Sequence, residues 1–64
     1  MATIHAEIQR IRLERAKRLL LETDLPTSQV AVASGFGSAS YLGAMFRRQL
    51  GVTPARYRAR VRSR

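Results

Sequence analysis

Two prolines and two glycines divide this chain of 64 residues, and their positions limit the fold more than any other feature. Pro26 and Pro54 can begin a helix but cannot lie inside one, because proline lacks a backbone N–H and disfavours helical geometry in the residue before it. Gly35 and Gly51 follow stretches of helical periodicity, and glycine readily adopts the left-handed conformation that ends many helices. These helix start and stop residues, together with the helical periodicity between them, predict an all-α chain with helices over residues 4–22, 28–34, 39–49 and 54–61.

The first predicted helix is long and amphipathic. Its expected N-cap is Thr3, and a hydroxyl at Ser38 or Thr53 can cap the third or fourth helix in the same way. The third helix places Leu42 and Phe46 on one inward face, since they are four positions apart. Apolar residues of the first helix recur mostly in steps of three or four, at Ile4, Ile8, Ile11, Ala16, Leu19 and Leu20.

The middle of the chain has the spacing of a helix-turn-helix. Such a unit needs a small residue where its two helices cross and a glycine in the turn four positions later, and Ala31 and Gly35 are that pair. Phe36 is expected to fill the space beneath the turn. The alternative is a three-helix bundle with an ordinary glycine turn. The predicted core consists of Leu19, Leu20, Val30, Leu42 and Phe46.

Charge is distributed unevenly along the chain, whose formal net charge is +8. Residues 25–64 contain seven arginines and no acidic residue. This polarity predicts that the C-terminal half meets a polyanion, for which phosphate is the obvious chemistry. The chain has no cysteine and no apolar run long enough for a membrane span, so we expect a protein of the cytoplasm. All four acids lie in the first 24 positions, at Glu7, Glu14, Glu22 and Asp24.

Catalysis and metal binding are not expected. His5 is the only histidine, and without cysteine no metal site can form at the usual ligand spacing. The serines have no general base near them in sequence, so the chain does not resemble an enzyme and implies no cofactor.

Several separately spaced stretches resemble the C-terminal half of the AraC/XylS family DNA-binding domain. They read RLERAKRLLLETDLP, SGFGSASYL, FRRQLGVTP and ARYR, and the likeness covers about residues 8 to 58. The resemblance implies a homeodomain-like helix-turn-helix fold belonging to a truncated bacterial transcription regulator, without the first helix-turn-helix unit or the effector-binding domain. Its implied parts are a long linker helix over 1–24, the second helix-turn-helix unit with a closing helix over 25–58, and a basic mobile tail over 59–64.

The resemblance also assigns residues to double-stranded DNA. Base readout should be weak, because none of the groove-facing positions Ala39, Ser40, Gly43 and Ala44 carries the arginine, lysine, asparagine or glutamine that bidentate contacts need. Contact with four to six phosphates predicts a log-affinity slope against log salt of roughly −4 to −5. The recognition-helix residues are Ser38, Ala39, Ser40, Gly43 and Ala44, and the phosphate-binding residues are Arg47, Arg48, Arg56 and Arg58.

Two other functions remain open at this stage. The stripe of Ile4, Ile8 and Ile11 could instead drive dimerisation or bind a full-length regulator. A basic amphipathic peptide could also bind anionic membranes, although the resemblance implies neither a membrane nor a small-molecule effector for this segment. The basic residues of the first helix share it with three glutamates and are expected to form a solvated face; they are Arg10, Arg12, Arg15, Lys17 and Arg18.

Overall fold

The computed structural model describes residues 4–62 of the chain. This range contains four α-helices and no strands, which confirms the predicted all-α fold. Every predicted helix boundary agrees with the structure to within one residue, whereas the expected cap at Thr3 lies outside the described residues. The helices are α1 (Ile4–Glu22), α2 (Thr27–Ser34), α3 (Ala39–Leu50) and α4 (Pro54–Arg62).

One hydrophobic core joins the C-terminal two thirds of α1 to α2 and α3. Leu19, predicted to be inside, is only half-buried and packs at the edge of this core. α4 is held from the other side, where the Tyr57 ring meets Phe46 edge to face with centroids 5.5 Å apart. The buried apolar residues are Leu13, Ala16, Leu20, Val30, Ala31, Phe36, Leu42 and Phe46.

The turn between α2 and α3 has the predicted helix-turn-helix geometry. Gly35 has a φ of 94°, in the left-handed region where a Cβ is unfavourable. The N–H groups of Phe36 and Gly37 both donate to the Ala31 carbonyl, at 2.8 and 3.2 Å, which turns the chain sharply after α2. Phe36 is buried beneath the turn, and Tyr41 packs edge to face on it with ring centroids 5.5 Å apart.

The predicted caps of α3 and α4 are confirmed. The Ser38 hydroxyl accepts a hydrogen bond from the Tyr41 N–H at 3.2 Å, and the Thr53 hydroxyl accepts one from the Arg56 N–H at 3.2 Å. Gly51 ends α3 with a φ of 76°, and its N–H donates to the Arg47 carbonyl at 3.0 Å. These local bonds satisfy backbone groups that helix ends would otherwise leave without partners.

The sequence predicts a basic mobile tail over residues 59–64, and the structure places residues 59–62 in the last turn of α4. From this turn, the Arg62 guanidinium reaches the end of α1 and the segment after it. It pairs with the Asp24 carboxylate at 2.6 Å and donates to the Thr23 carbonyl at 2.7 Å. Residues 63 and 64 lie outside the described part of the chain.

Gly43 lies inside α3, and we expect Gly43→Ala to raise the free energy of unfolding by about 1 kcal/mol. A Cβ built at this position meets nothing within 4 Å, so alanine adds helix propensity without crowding. Urea denaturation followed by far-UV circular dichroism measures the change.

Gly51→Ala is the matched control for this substitution. A Cβ there also meets nothing within 4 Å, but the positive φ makes alanine unfavourable, so stability should fall. Equal effects at the two glycines would contradict the assignment of Gly51 as a left-handed helix end.

Candidate nucleic-acid interface

α3 is fixed along one face and free along the other. Leu42 and Phe46 are fully buried against α1 and α2, while the Ser38 cap sets the start of the helix. An α-helix turns 3.6 residues per turn, so the positions opposite these two anchors point away from the core. Among residues 4–62, no other helix covers this side of α3, which is therefore exposed to solvent.

The exposed side of α3 carries most of the predicted recognition residues. Ser40, Ala44 and Arg48 are each four positions apart and form one row, which Arg47 flanks. Gly43 is half-buried beside this row. Ala39 is exposed at the start of the helix, and Ser38 is committed to capping it.

Three exposed arginines of α3 and α4 have no acidic partner among residues 4–62. The ion pairs among residues 4–62 include neither Arg47 nor Arg48, which are both exposed in the last turn of α3. Arg56 is likewise exposed and unpaired near the start of α4. Guanidinium groups without a carboxylate are available to a phosphate, with which they form charge-assisted hydrogen bonds.

Arg58 does not fit the phosphate role predicted for it, because its side chain is used within the fold. Its Nε donates to the Leu20 carbonyl at 2.9 Å, and its Nη2 donates to the Thr23 carbonyl at 3.0 Å. The last four carbonyls of a helix have no partner within the helix, and Arg58 satisfies one of these, on Leu20, together with the carbonyl of Thr23 just after α1. Arg58 is therefore a cap for the C-terminal end of α1.

Arg62, one turn after Arg58, extends this cap. Besides its bonds to Asp24 and Thr23, it approaches the Leu21 carbonyl at 3.4 Å. The hydrogen bond and positive charge of Arg62 hold the pKa of the Asp24 carboxyl below its usual value, and Arg58 adds a weaker effect in the same direction. The two arginines join α4 to α1 through groups far apart in sequence.

The basic face of α1 divides into paired and unpaired side chains. Arg10 pairs with Glu7 at 2.6 Å, Lys17 with Glu14 at 3.1 Å and Arg18 with Glu22 at 3.9 Å. These three pairs use every glutamate of the chain, and they agree with the predicted solvated face. Such exposed pairs contribute little stability.

Arg12 and Arg15 are the α1 cations that lie outside these ion pairs. Neither makes an ion pair within residues 4–62, and both line a groove between α1 and α2. The Arg12 side chain lies directly against the turn, so that a Cβ added to Gly35 would be 3.0 Å from its Nε. Helical spacing explains why they are unpaired, because neither arginine has a glutamate three or four positions away.

Other candidate sites are not found in the described range. No group of three histidine, cysteine, aspartate or glutamate side chains in residues 4–62 could hold a metal ion. None of the helices in the same range is long and apolar enough to cross a membrane.

Comparison with known proteins identifies this arrangement. A family model described as a helix-turn-helix domain matches residues 2–60. Similar curated proteins include the probable transcriptional regulator LumQ of Photobacterium leiognathi, at 43% identity over 60 residues. Another is the HTH-type transcriptional activator RhaR of Enterobacter sp. (strain 638), at 35% identity over 60 residues.

The chain belongs to the AraC/XylS family. Each alignment covers 94% of this AraC/XylS-type chain but only 24% of LumQ and 21% of RhaR, so the chain spans about a quarter of the length of such relatives.

A solved structure has the same fold as this AraC/XylS-type domain. It is the DNA-binding domain of AdpA, a global transcriptional factor, crystallised in complex with a target DNA. The two superpose with a TM-score of 0.85 at 41% identity, over 98% of this chain and 56% of that one. The likeness confirms the family fold predicted from the sequence.

Proposed function

We propose that this domain binds double-stranded DNA by placing α3 in the major groove, as part of a bacterial transcription regulator of the cytoplasm. The observation that carries the proposal is the free side of α3, where Ser40 and Ala44 are exposed beside the unpaired Arg47 and Arg48. A helix about 10–12 Å across matches a major groove about 12 Å wide. Cations at the end of such a helix can reach the phosphates on either side.

The solved AdpA domain supports this proposal, because it was crystallised in complex with a target DNA and shares the fold over 98% of this chain. The names of LumQ and RhaR, a probable transcriptional regulator and a transcriptional activator, support the wider role. We assign no catalytic step, cofactor or small-molecule effector to the segment, although the relative AdaA of Bacillus subtilis (strain 168) is named as both an activator and a DNA repair enzyme.

Arginine contacts with phosphates make DNA affinity fall as the salt concentration rises, and the steepness of the fall reports the number of phosphates contacted. Each neutralised phosphate contributes about −0.9 to the slope of log affinity against log salt. Arg47, Arg48 and Arg56 together predict a slope of about −3, which is shallower than the sequence predicted because Arg58 is used in capping α1.

The test compares the wild type with Arg47→Ala/Arg48→Ala. Fluorescence-anisotropy binding to a duplex of about 20 base pairs, from about 20 to 200 mM salt, should show the slope of the variant shallower by about two units. The double variant Arg10→Ala/Arg18→Ala is the matched control, since it removes two arginines that are already paired with glutamates. Undetectable binding of the folded wild type at the lowest salt would refute the proposal.

A second candidate function is self-association or binding to a full-length regulator. Its supporting observation is the stripe of Ile4, Ile8 and Ile11, which are 81%, 40% and 57% exposed. Sedimentation velocity over a range of concentrations should reveal association that Ile8→Ser/Ile11→Ser abolishes. Leu21→Ser, at an exposed leucine on the same helix, is the control.

A further inference from the structure

The middle of the free side of α3 carries only short side chains. Ser40 and Ala44 are exposed there, and Gly43 beside them has no side chain. Tyr41 flanks this strip and is 41% exposed, with its ring against Phe36 and its hydroxyl accepting a hydrogen bond from the Gln9 side chain at 2.8 Å. A Cβ at Gly43 would meet nothing within 4 Å, so open space continues beside the helix backbone. The surface can therefore approach the floor of a groove more closely than a helix with long side chains.

A surface of short side chains can make few specific contacts with the base edges in a major groove. Bidentate hydrogen bonds need long amide or guanidinium side chains, which are missing between residues 39 and 44. The group left for an alanine side chain to recognise is the C5-methyl group of thymine, which projects into the major groove. Ala44 is placed for such a contact, because it is exposed in the middle of the row that Ser40 and Arg48 complete.

We propose that Ala44 reads C5-methyl groups in the major groove, so that this domain favours thymine over bases that lack the methyl group. The inference rests on the proposed DNA binding and specifies what that surface recognises. Arg47 and Arg48 hold the helix against the phosphates, and the Ala44 methyl group supplies the discrimination. Burial of one methyl group between two apolar surfaces corresponds to about a fourfold change in affinity.

The experiment alters the DNA, so that it does not depend on whether a variant folds. Anisotropy is measured on two A·T duplexes of one sequence, in one of which every thymine is replaced by deoxyuridine. Both duplexes present the same hydrogen-bonding groups in the major groove and differ there only in the methyl. We expect the thymine duplex to bind at least about fourfold more tightly. A mixed G·C duplex should gain affinity when its cytosines carry a 5-methyl group.

Two protein variants then assign the effect to a residue. Ala44→Ser replaces the exposed methyl contact with a hydroxyl, and the ratio of thymine to deoxyuridine affinities should fall towards one. Ala59→Ser makes the same change at an exposed alanine of α4 and should leave the ratio unchanged. Circular dichroism checks that both variants are as helical as the wild type.

The possible outcomes distinguish a failure of methyl recognition by Ala44 from a failure of the proposed DNA binding. Equal binding of the two A·T duplexes with a normal salt slope would overturn methyl recognition and leave DNA binding standing. A thymine preference that survives in Ala44→Ser would overturn the role of Ala44. Failure of the folded wild type to bind either duplex at low salt would overturn both proposals.

Discussion

Replacing Arg58 with alanine is expected to lower the free energy of unfolding by about 2 kcal/mol. The side chain donates two hydrogen bonds, to the Leu20 and Thr23 carbonyls, and its removal leaves the end of α1 uncapped. A hydrogen bond from a charged group is worth about 1.5–3 kcal/mol, and water can replace part of the loss because the site is only half-buried. Urea denaturation measures the change.

The effect is large for a chain of this size, whose total stability is on the order of 3–10 kcal/mol. Arg58→Lys should fall between the wild type and the alanine variant, because an ammonium lacks the planar fork that reaches two carbonyls together. Arg56→Ala is the matched control on the same helix. Its side chain is exposed, so we expect stability within about 0.5 kcal/mol of the wild type but a shallower salt slope for DNA binding. If Arg58→Ala instead kept the stability of the wild type and made the salt slope shallower, Arg58 would be a phosphate-binding residue.

Gly35→Ala is expected to destabilise the domain by about 1–2 kcal/mol through the backbone alone, because its φ of 94° is unfavourable for any residue with a Cβ. Crowding adds to this cost. The new Cβ would lie 3.0 Å from the Arg12 Nε and 3.3 Å from its Cδ, so the arginine side chain must shift by a few tenths of an ångström. Thermal or urea unfolding of the variant measures the sum.

Two comparisons separate the backbone cost from the crowding. Gly51→Ala has the same sign of φ but no atom within 4 Å of its Cβ, and it should be less damaging than Gly35→Ala. In an Arg12→Ala background the crowding disappears, so Gly35→Ala should cost less there than in the wild type. Equal costs in both backgrounds would mean that Arg12 moves aside freely and that the backbone carries the whole effect.

Helix ends were predictable because their signals are local. Ser38, Gly51 and Thr53 act on backbone groups within four residues of themselves, so their sequence positions suffice to place the caps. The spacing of Ala31 and Gly35 predicted the turn for the same reason. Burial of Leu42 and Phe46 followed from the helical period together with the need for one core.

The roles of Arg12, Arg58 and Arg62 were not predictable in this way. Arg58 meets carbonyls 35 and 38 residues earlier, and the contact of Arg12 with Gly35 depends on how α1 crosses the turn. A run of arginines without acids has the appearance of a DNA-binding tail, and only the packing of α4 shows which guanidiniums face inward. The distribution of charge along the chain therefore predicted that the C-terminal half is basic, but it did not predict what each arginine side chain contacts.

The bonds from Arg58 to the end of α1 also have a consequence for synthesis of the chain. Arg58 is added 38 residues after Leu20, which takes roughly 2–8 s at about 5–20 residues per second. During that time the nascent α1 has no α4 to cover its last carbonyls. Translation speed therefore sets how long the nascent domain remains open before its last helix can close it.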